Sequence, residues 1–340
     1  MRLDFYPYSD SFEELIRVSR QAEEKDFRIV WSAELFRNPF VGLSAIAHST
    51  TTIGVGSGIA WAFTRSPLSL ALTALDLDEL SGGRFILGLG SGVRRLNTDW
   101  HDVSFDGPIG RMRDTVEIIR RVIESSHTGD LIRYEGSRRS INMRGYERPF
   151  SPTRPTIPIY LASVGPQMTR LTGEIADGWI GHELGSPDYM RDFILPNLKA
   201  GLKAGGRHRD SLDIVPSGIC VIHPDHHTAM RQTAGVVAFY ASVKTYTDFF
   251  AYHGFEAEAL QIQERFRAGD IAGMIDATPD EMVDTVTLSG TLERVLEKLA
   301  AYEGMVDAVK LAGPTHLIGI DVTHQAQESI LRELGGNNAS

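Results

Sequence analysis

Short apolar runs bounded by turn residues alternate with longer stretches of helical period along most of this chain. The runs with strand character cover 2–8, 27–33, 52–60, 84–90, 157–163, 177–182, 213–222 and 307–313. After the first of these, "SFEELIRVSRQAEEK" (11–25) places Phe12, Leu15, Ile16, Val18 and Ser19 near one helical face, with Ser9 and Ser11 as candidate caps. "SPLSLALTALDLDELSGG" (66–83) predicts a helix that begins on Ser66–Pro67 and stops at Gly82–Gly83. Eight such units in 340 residues match an α/β fold of the (β/α)8 barrel kind. An open doubly wound sheet more often carries about five or six strands.

Two stretches break the rhythm. Residues 127–156 are polar and rich in turn residues and proline, and predict an excursion with a small hairpin before the fifth strand. Residues 224–290 are helical in pattern with no convincing strand, and predict a helical insertion between strands seven and eight. Neither has the composition of a linker, and no internal repeat is present, so residues 1–340 are expected to form a single barrel domain with insertions.

With 42% of its residues apolar, a chain of this length buries a substantial core. The formal net charge is −10, from 44 acidic and 34 basic residues, which argues against a broad nucleic-acid or anionic-membrane surface. An anionic ligand must then be met locally, by arginines or backbone N–H groups. The single cysteine, Cys220, excludes an intrachain disulfide, and its place in "SGICVI" marks it as a buried small hydrophobe. The start "MRLDFYPYSD" lacks an apolar core of signal-peptide length, and no run approaches about 18 apolar residues, so a soluble cytoplasmic protein is expected.

The stretch "RFILGLGSGVRR" (84–95) is the one most like a ligand loop. Its glycines, Gly88, Gly90 and Gly92, are spaced G-x-G-x-G, the strand is the fourth and not the first, and "VRRLNTDWHDVSFDGP" after it shows no helical period. It therefore fails as a dinucleotide fingerprint, and without a following Gly-Lys-Ser/Thr it fails as a phosphate loop. On barrel strand four, Gly90, Ser91 and Gly92 lie at the C-terminal rim, where barrel active sites sit and where glycine lets a flat ring approach the backbone. The alternative is that they only fit a crowded bend.

"LDLDELSGGRFILGLGSG" (75–92) and "IPIYLASVGPQMTRLTGEIADGWI" (157–180) resemble the luciferase-like flavin and deazaflavin oxidoreductases. Within them the chain is most similar to the coenzyme F420-dependent branch typified by methylenetetrahydromethanopterin reductase. "TTIGVGSGIAWAFTRSPLSLA" (51–71) resembles the family's third strand and following helix, so the likeness covers nearly the whole chain. It implies a (β/α)8 barrel with insertions, F420 as cofactor with FMN as the alternative, hydride transfer to or from a small organic substrate, and a homodimer. An FMN-dependent monooxygenase and a non-catalytic cofactor-binding barrel remain the competing readings.

The resemblance also assigns residues. Gly58–Ile59, next to Ala60, falls where the family often has a non-prolyl cis peptide beneath the cofactor ring. Ser163, Val164 and Gly165 end strand five, and Gln167 and Met168 open the next helix, whose free N–H groups suit a phosphate or carboxylate. Many deazaflavin enzymes of this kind carry Asp-His at the end of strand two; here "WSAELF" puts Glu34 and Leu35 there, keeping a carboxylate and losing the imidazole. Glu34, in an apolar neighbourhood of Trp31, Leu35 and Phe36, is the first candidate acid or base or else a cofactor ligand, and His182 is the second, with His101 behind it. Arg65, Arg94 and Arg95 are candidate anchors for the cofactor's anionic tail. Trp61 either lines the substrate pocket or packs in the core. "HPDHH" (223–227) spaces His223 and His227 around Asp225, but no partner ligands are visible elsewhere, so a solvated loop and no metal are expected.

Overall fold

All eight apolar runs contain strands in the computed structural model, which describes residues 1–336. In chain order the strands are β1 (Arg2–Tyr6), β2 (Ile29–Ser32), β3 (Gly54–Ser57), β4 (Ala60–Trp61), β5 (Phe85–Gly90), β6 (Ile132–Glu135), β7 (Ser140–Met143), β8 (Ile159–Ala162), β9 (Gly178–Ile180), β10 (Asp213–Val215), β11 (Ser217–Ile219) and β12 (Ala308–Ala312). Helices α1 (Phe12–Glu24), α2 (Pro39–Ser49), α3 (Pro67–Leu80), α4 (Pro108–Ser125) and α5 (Pro166–Ile175) alternate with the earlier strands. Two expected strands are interrupted. The run 52–60 breaks at the Gly58–Ile59 peptide, which is cis, and resumes as β4. The run 213–222 breaks at Pro216, which has no N–H to give to a ladder.

The capping signals act where the sequence puts them. Ser11 caps α1, whose buried face is Leu15, Val18, Ser19 and Ala22, while Phe12 stays exposed. Ser66 accepts the Ser69 N–H at the start of α3, and Gly82 and Gly83 end it with φ of 64° and 84°. The segment after β5 departs from expectation, because Leu96–Trp100 forms one turn of π-helix. Five residues are too few to display a period, and the turn is tied instead by Asn97, whose Nδ2 donates to the carbonyls of Ser91 and Val93.

The described residues fall into two compact units. One comprises Arg28–Ile180 and Phe193–Ile214. Within it β2, β3, β5, β8 and β9 pair in parallel in that order, with β4 added to β5. Glycine is dictated here by strand packing: a Cβ on Gly88 would lie 1.8 Å from the Ser57 carbonyl oxygen, and one on Gly56 2.5 Å from the Trp31 ring. The Ser57 hydroxyl locks this approach, donating to Gly88 O at 2.8 Å and accepting from Gly88 N at 2.9 Å. The stretch 127–156 carries the antiparallel hairpin β6–β7.

The other unit comprises Met1–Phe27, Gly181–Asp192 and the chain from Val215. Its strands β1, β12 and β11 pair in parallel, placing Asp4 in register with Lys310, both buried. Helices His226–Ala241, Glu256–Arg267 and Asp280–Val286 of the stretch 224–290 bury Val237, Ile262 and Met282 in one core. Cys220 is buried, and burial pushes its thiol up to about 12, which leaves it a small hydrophobe. Among the described residues no helix is long and apolar enough to cross a membrane.

Candidate functional site

The residues assigned to the ends of strands two to five lie within the Arg28–Ile180 unit. Glu34 follows β2, and its backbone N–H donates to Ile59 O at 2.9 Å, joining the end of β2 to the cis segment. Its carboxylate is fully engaged. Arg65 reaches both oxygens at 2.7 Å, and the Trp61 N–H donates to Oε2 at 2.8 Å. Arg65 in turn lies over the Phe40 ring, 5.2 Å from its centroid. Of the apolar residues expected around Glu34, Trp31 is buried, whereas Leu35 and Phe36 are 40% and 66% exposed. A guanidinium fork and a backbone N–H thus occupy this carboxylate, and Arg65 is paired with it.

The rim of β5 is shaped by contact with the cis segment. A Cβ on Gly90 would come within 2.7 Å of Ile59 Cδ1, so the crowded-bend reading accounts for this glycine. Gly92 has φ of 63°, and Ser91 donates from its hydroxyl to Gly92 O. Ala60 and Trp61 are buried, and the Trp61 ring meets His101 edge-on at 5.0 Å. Asn97 is wholly buried, and its Oδ1 has no hydrogen-bond partner among the described residues.

At the end of β8 the geometry is open. Ser163 is buried, its hydroxyl and carbonyl oxygens accepting from Trp179 Nε1 at 3.0 and 3.1 Å. Beyond it the chain emerges: Val164 is 44% exposed, and a Cβ on Gly165 would meet nothing within 4 Å. Gly165 is the N-cap of α5 and offers no side chain, while the first internal bond runs from Thr169 N to Gly165 O. The N–H groups of Gln167 and Met168 are therefore left without a helical acceptor, facing an uncrowded surface.

The remaining candidates are placed as follows. Arg94 lies over the Phe105 ring at 5.2 Å, and exposed Arg95 makes a 3.7 Å contact with Asp99. His182 lies in the other unit, its ring 4.5 Å from Tyr240 and 4.6 Å from Tyr246. Its Nδ1 accepts the Leu184 N–H at 3.1 Å, which puts the ring proton on Nε2. Burial drives its pKa down to about 4, so at neutral pH His182 is an uncharged donor rather than a poised acid. Beside it Glu183 accepts from the Tyr240 hydroxyl at 2.9 Å. His227 pairs with Asp280 and Asp225 caps a helix, and no group of three or more His, Cys, Asp or Glu among the described residues is placed to hold a metal. Sequence reasoning missed Asn97 and the arginines of the β6–β7 hairpin, Arg138 and Arg139; the only signal was a basic pair inside a polar excursion.

The luciferase-like monooxygenase family matches residues 2–308 of the chain. A 5,10-methylenetetrahydromethanopterin reductase of Archaeoglobus fulgidus is 30% identical over 306 residues, covering 87% of this chain and 88% of the relative. The coenzyme F420-dependent tetrahydromethanopterin reductase of Methanopyrus kandleri has a similar structure, with a TM-score of 0.84 at 25% identity over 98% of this chain and 97% of that one. A monooxygenase from Streptomyces bottropensis shares the fold alone, with a TM-score of 0.70 at 18% identity over 98% of each chain. The fold class is thus the luciferase-like α/β barrel that the strand and helix pattern predicts. With the match running through nearly all of its length, the chain belongs to the luciferase-like monooxygenase family of enzymes, and within it resembles the 5,10-methylenetetrahydromethanopterin reductases.

Proposed function

We propose that this enzyme is a coenzyme F420-dependent oxidoreductase that moves a hydride between the deazaflavin and a small organic substrate. The observation that carries the proposal is the open N-terminus of α5. Exposed Val164, the empty space at Gly165 and the free N–H groups of Gln167 and Met168 make a cradle for an anionic group, in a chain 25% identical to a coenzyme F420-dependent tetrahydromethanopterin reductase of similar structure. When bound, the deazaflavin supplies or accepts the hydride. The protein's part is orientation. The Gln167 and Met168 N–H groups would hold the anion, and Gly90, Ser91 and Gly92 would contact the cofactor from the rim of β5. Glu34 acts as a positioning residue that fixes Arg65 and the 59–61 segment.

The reading carries with it the homodimer, the cytoplasmic setting and the single barrel domain expected from sequence. It is tested by turnover of the purified protein on a panel of ketones, imines and nitroaromatics, with reduced F420 under anaerobic conditions and with reduced FMN in the presence and absence of oxygen. Oxidation of reduced F420 that depends on one acceptor class is the expected result. Product formation only with reduced FMN and oxygen overturns it in favour of a monooxygenase.

A further inference from the structure

Three arginines in the Arg28–Ile180 unit lie over two phenylalanines beside the segment that follows β4, and a fourth, Arg138, precedes one of them in the chain. Phe63 and Phe105 meet edge-on with centroids 5.9 Å apart. Arg111 lies over Phe63 at 4.9 Å, Arg139 over Phe63 at 5.8 Å and Arg94 over Phe105 at 5.2 Å. Arg138 lies against the αL backbone of Gly107, the N-cap of α4, where a Cβ would come within 2.5 Å of its Nε. None of the four makes an ion pair among the described residues. Arg139 donates only to the carbonyls of Arg65, Phe63 and Ala62, at 3.2, 3.4 and 3.5 Å, and Arg111 to the carbonyl of Ser104.

Two acids nearby offset part of this charge, Asp106 that of Arg111 and Asp114 that of Arg139, without forming an ion pair with either. Asp114 is buried and occupied, accepting the Arg138 and Arg139 backbone N–H groups and the Tyr134 hydroxyl. Asp106 is exposed and accepts from the Ser104 hydroxyl. Burial, with the Arg111 charge beside it, holds Arg139 down at about 10, and burial also lowers Arg111. Both stay cationic at neutral pH, so four guanidinium groups outnumber the two neighbouring carboxylates on a chain whose net charge is −10. Guanidinium groups lying on aromatic rings keep their N–H edges free for bidentate bonds to oxyanions.

We infer that Arg94, Arg111 and Arg139, seated on Phe63 and Phe105, form together with Arg138 beside Gly107 a binding site for the carboxylate or phosphate groups of a ligand held at the adjoining rim. The site stands on its own residues; only the naming of the cofactor's phosphate and glutamate tail as one source rests on the F420 reading. The second source is an anionic substrate.

The test compares the intact protein with R94Q/R138Q, which alters two exposed side chains, and with R111K. Tryptophan quenching gives affinities for F420 and for its riboside lacking the phosphate and glutamates, and thermal shift gives protection by citrate and inorganic phosphate. The double variant is expected to weaken F420 by about tenfold and leave the riboside unchanged, identifying the tail as the source. Unchanged F420 affinity with loss of citrate and phosphate protection assigns the site to an anionic substrate. Failure of the intact protein to bind F420, with citrate protection that the variants lose, removes the F420 reading and keeps the site. Equal behaviour of intact and variant proteins toward all four ligands overturns the inference. Unliganded melting temperatures show that the variants fold, and R111K supplies the comparison if the double variant does not.

Discussion

Replacing Glu34 by alanine leaves the Arg65 guanidinium half-buried with its fork empty, so the loss exceeds that of removing both partners. Side-chain exposures of 11% and 20% place the pair between surface and interior. A double-mutant cycle with Glu34→Ala and Arg65→Ala, followed by urea denaturation, is expected to give a coupling energy of about 1–3 kcal/mol. A value near zero contradicts the positioning role. His182 gives a pH prediction. Its folded pKa of about 4 lies below the ordinary 6.5, so between those values the unfolded chain binds a proton that the folded chain does not. Stability is therefore full above about pH 6.5 and falls by roughly 2–3 kcal/mol as pH drops to 4. In His182→Phe the decline in melting temperature over that window should be shallower; a slope equal to the parent's refutes the assignment. His253 and His316, also lowered by burial, account for the slope that remains. At this scale the sequence was partly legible. Glu34 could be singled out by position, but its partner Arg65 is 31 residues away and only the fold brings them together.

Helix and strand ends carry the next set of expectations. Gly165 has φ of −87° and open space at Cβ, so Gly165→Asp should fold with unchanged or slightly raised stability, aspartate being a good N-cap. Its carboxylate would occupy the seat of the proposed anion, and F420 affinity should fall by about tenfold or more. Unaltered affinity in calorimetric titration would remove α5 from the site. Gly88 behaves oppositely: any Cβ there strikes the Ser57 carbonyl, and Gly88→Ala should lose more than about 2 kcal/mol by chemical denaturation. Elements were well legible because caps and apolar runs are local signals, as Ser66, Gly82 and Gly83 illustrate at the ends of α3. The π-turn at Leu96–Trp100 was not, since Asn97 stabilises it through carbonyls of its own loop and leaves no periodic trace.

At the scale of the whole molecule, the proposed function asks an acidic chain to recognise an anionic cofactor against its own net charge of −10. On the proposed reading, local donors at α5 and the arginines around Phe63 would supply that recognition, so affinity should weaken as salt rises. The fold class was legible from eight alternating units and is shared with a reductase at a TM-score of 0.84. The basic cluster was not legible, because Arg94, Arg111 and Arg138–Arg139 come from three separate segments that converge only on folding. Titrating the purified protein and its Gly165→Asp variant with F420 and with FMN, followed by tryptophan quenching, tests the proposed function most directly. Saturable quenching by F420 alone, weakened in the variant, is the predicted result; quenching by FMN with no response to F420 would contradict it.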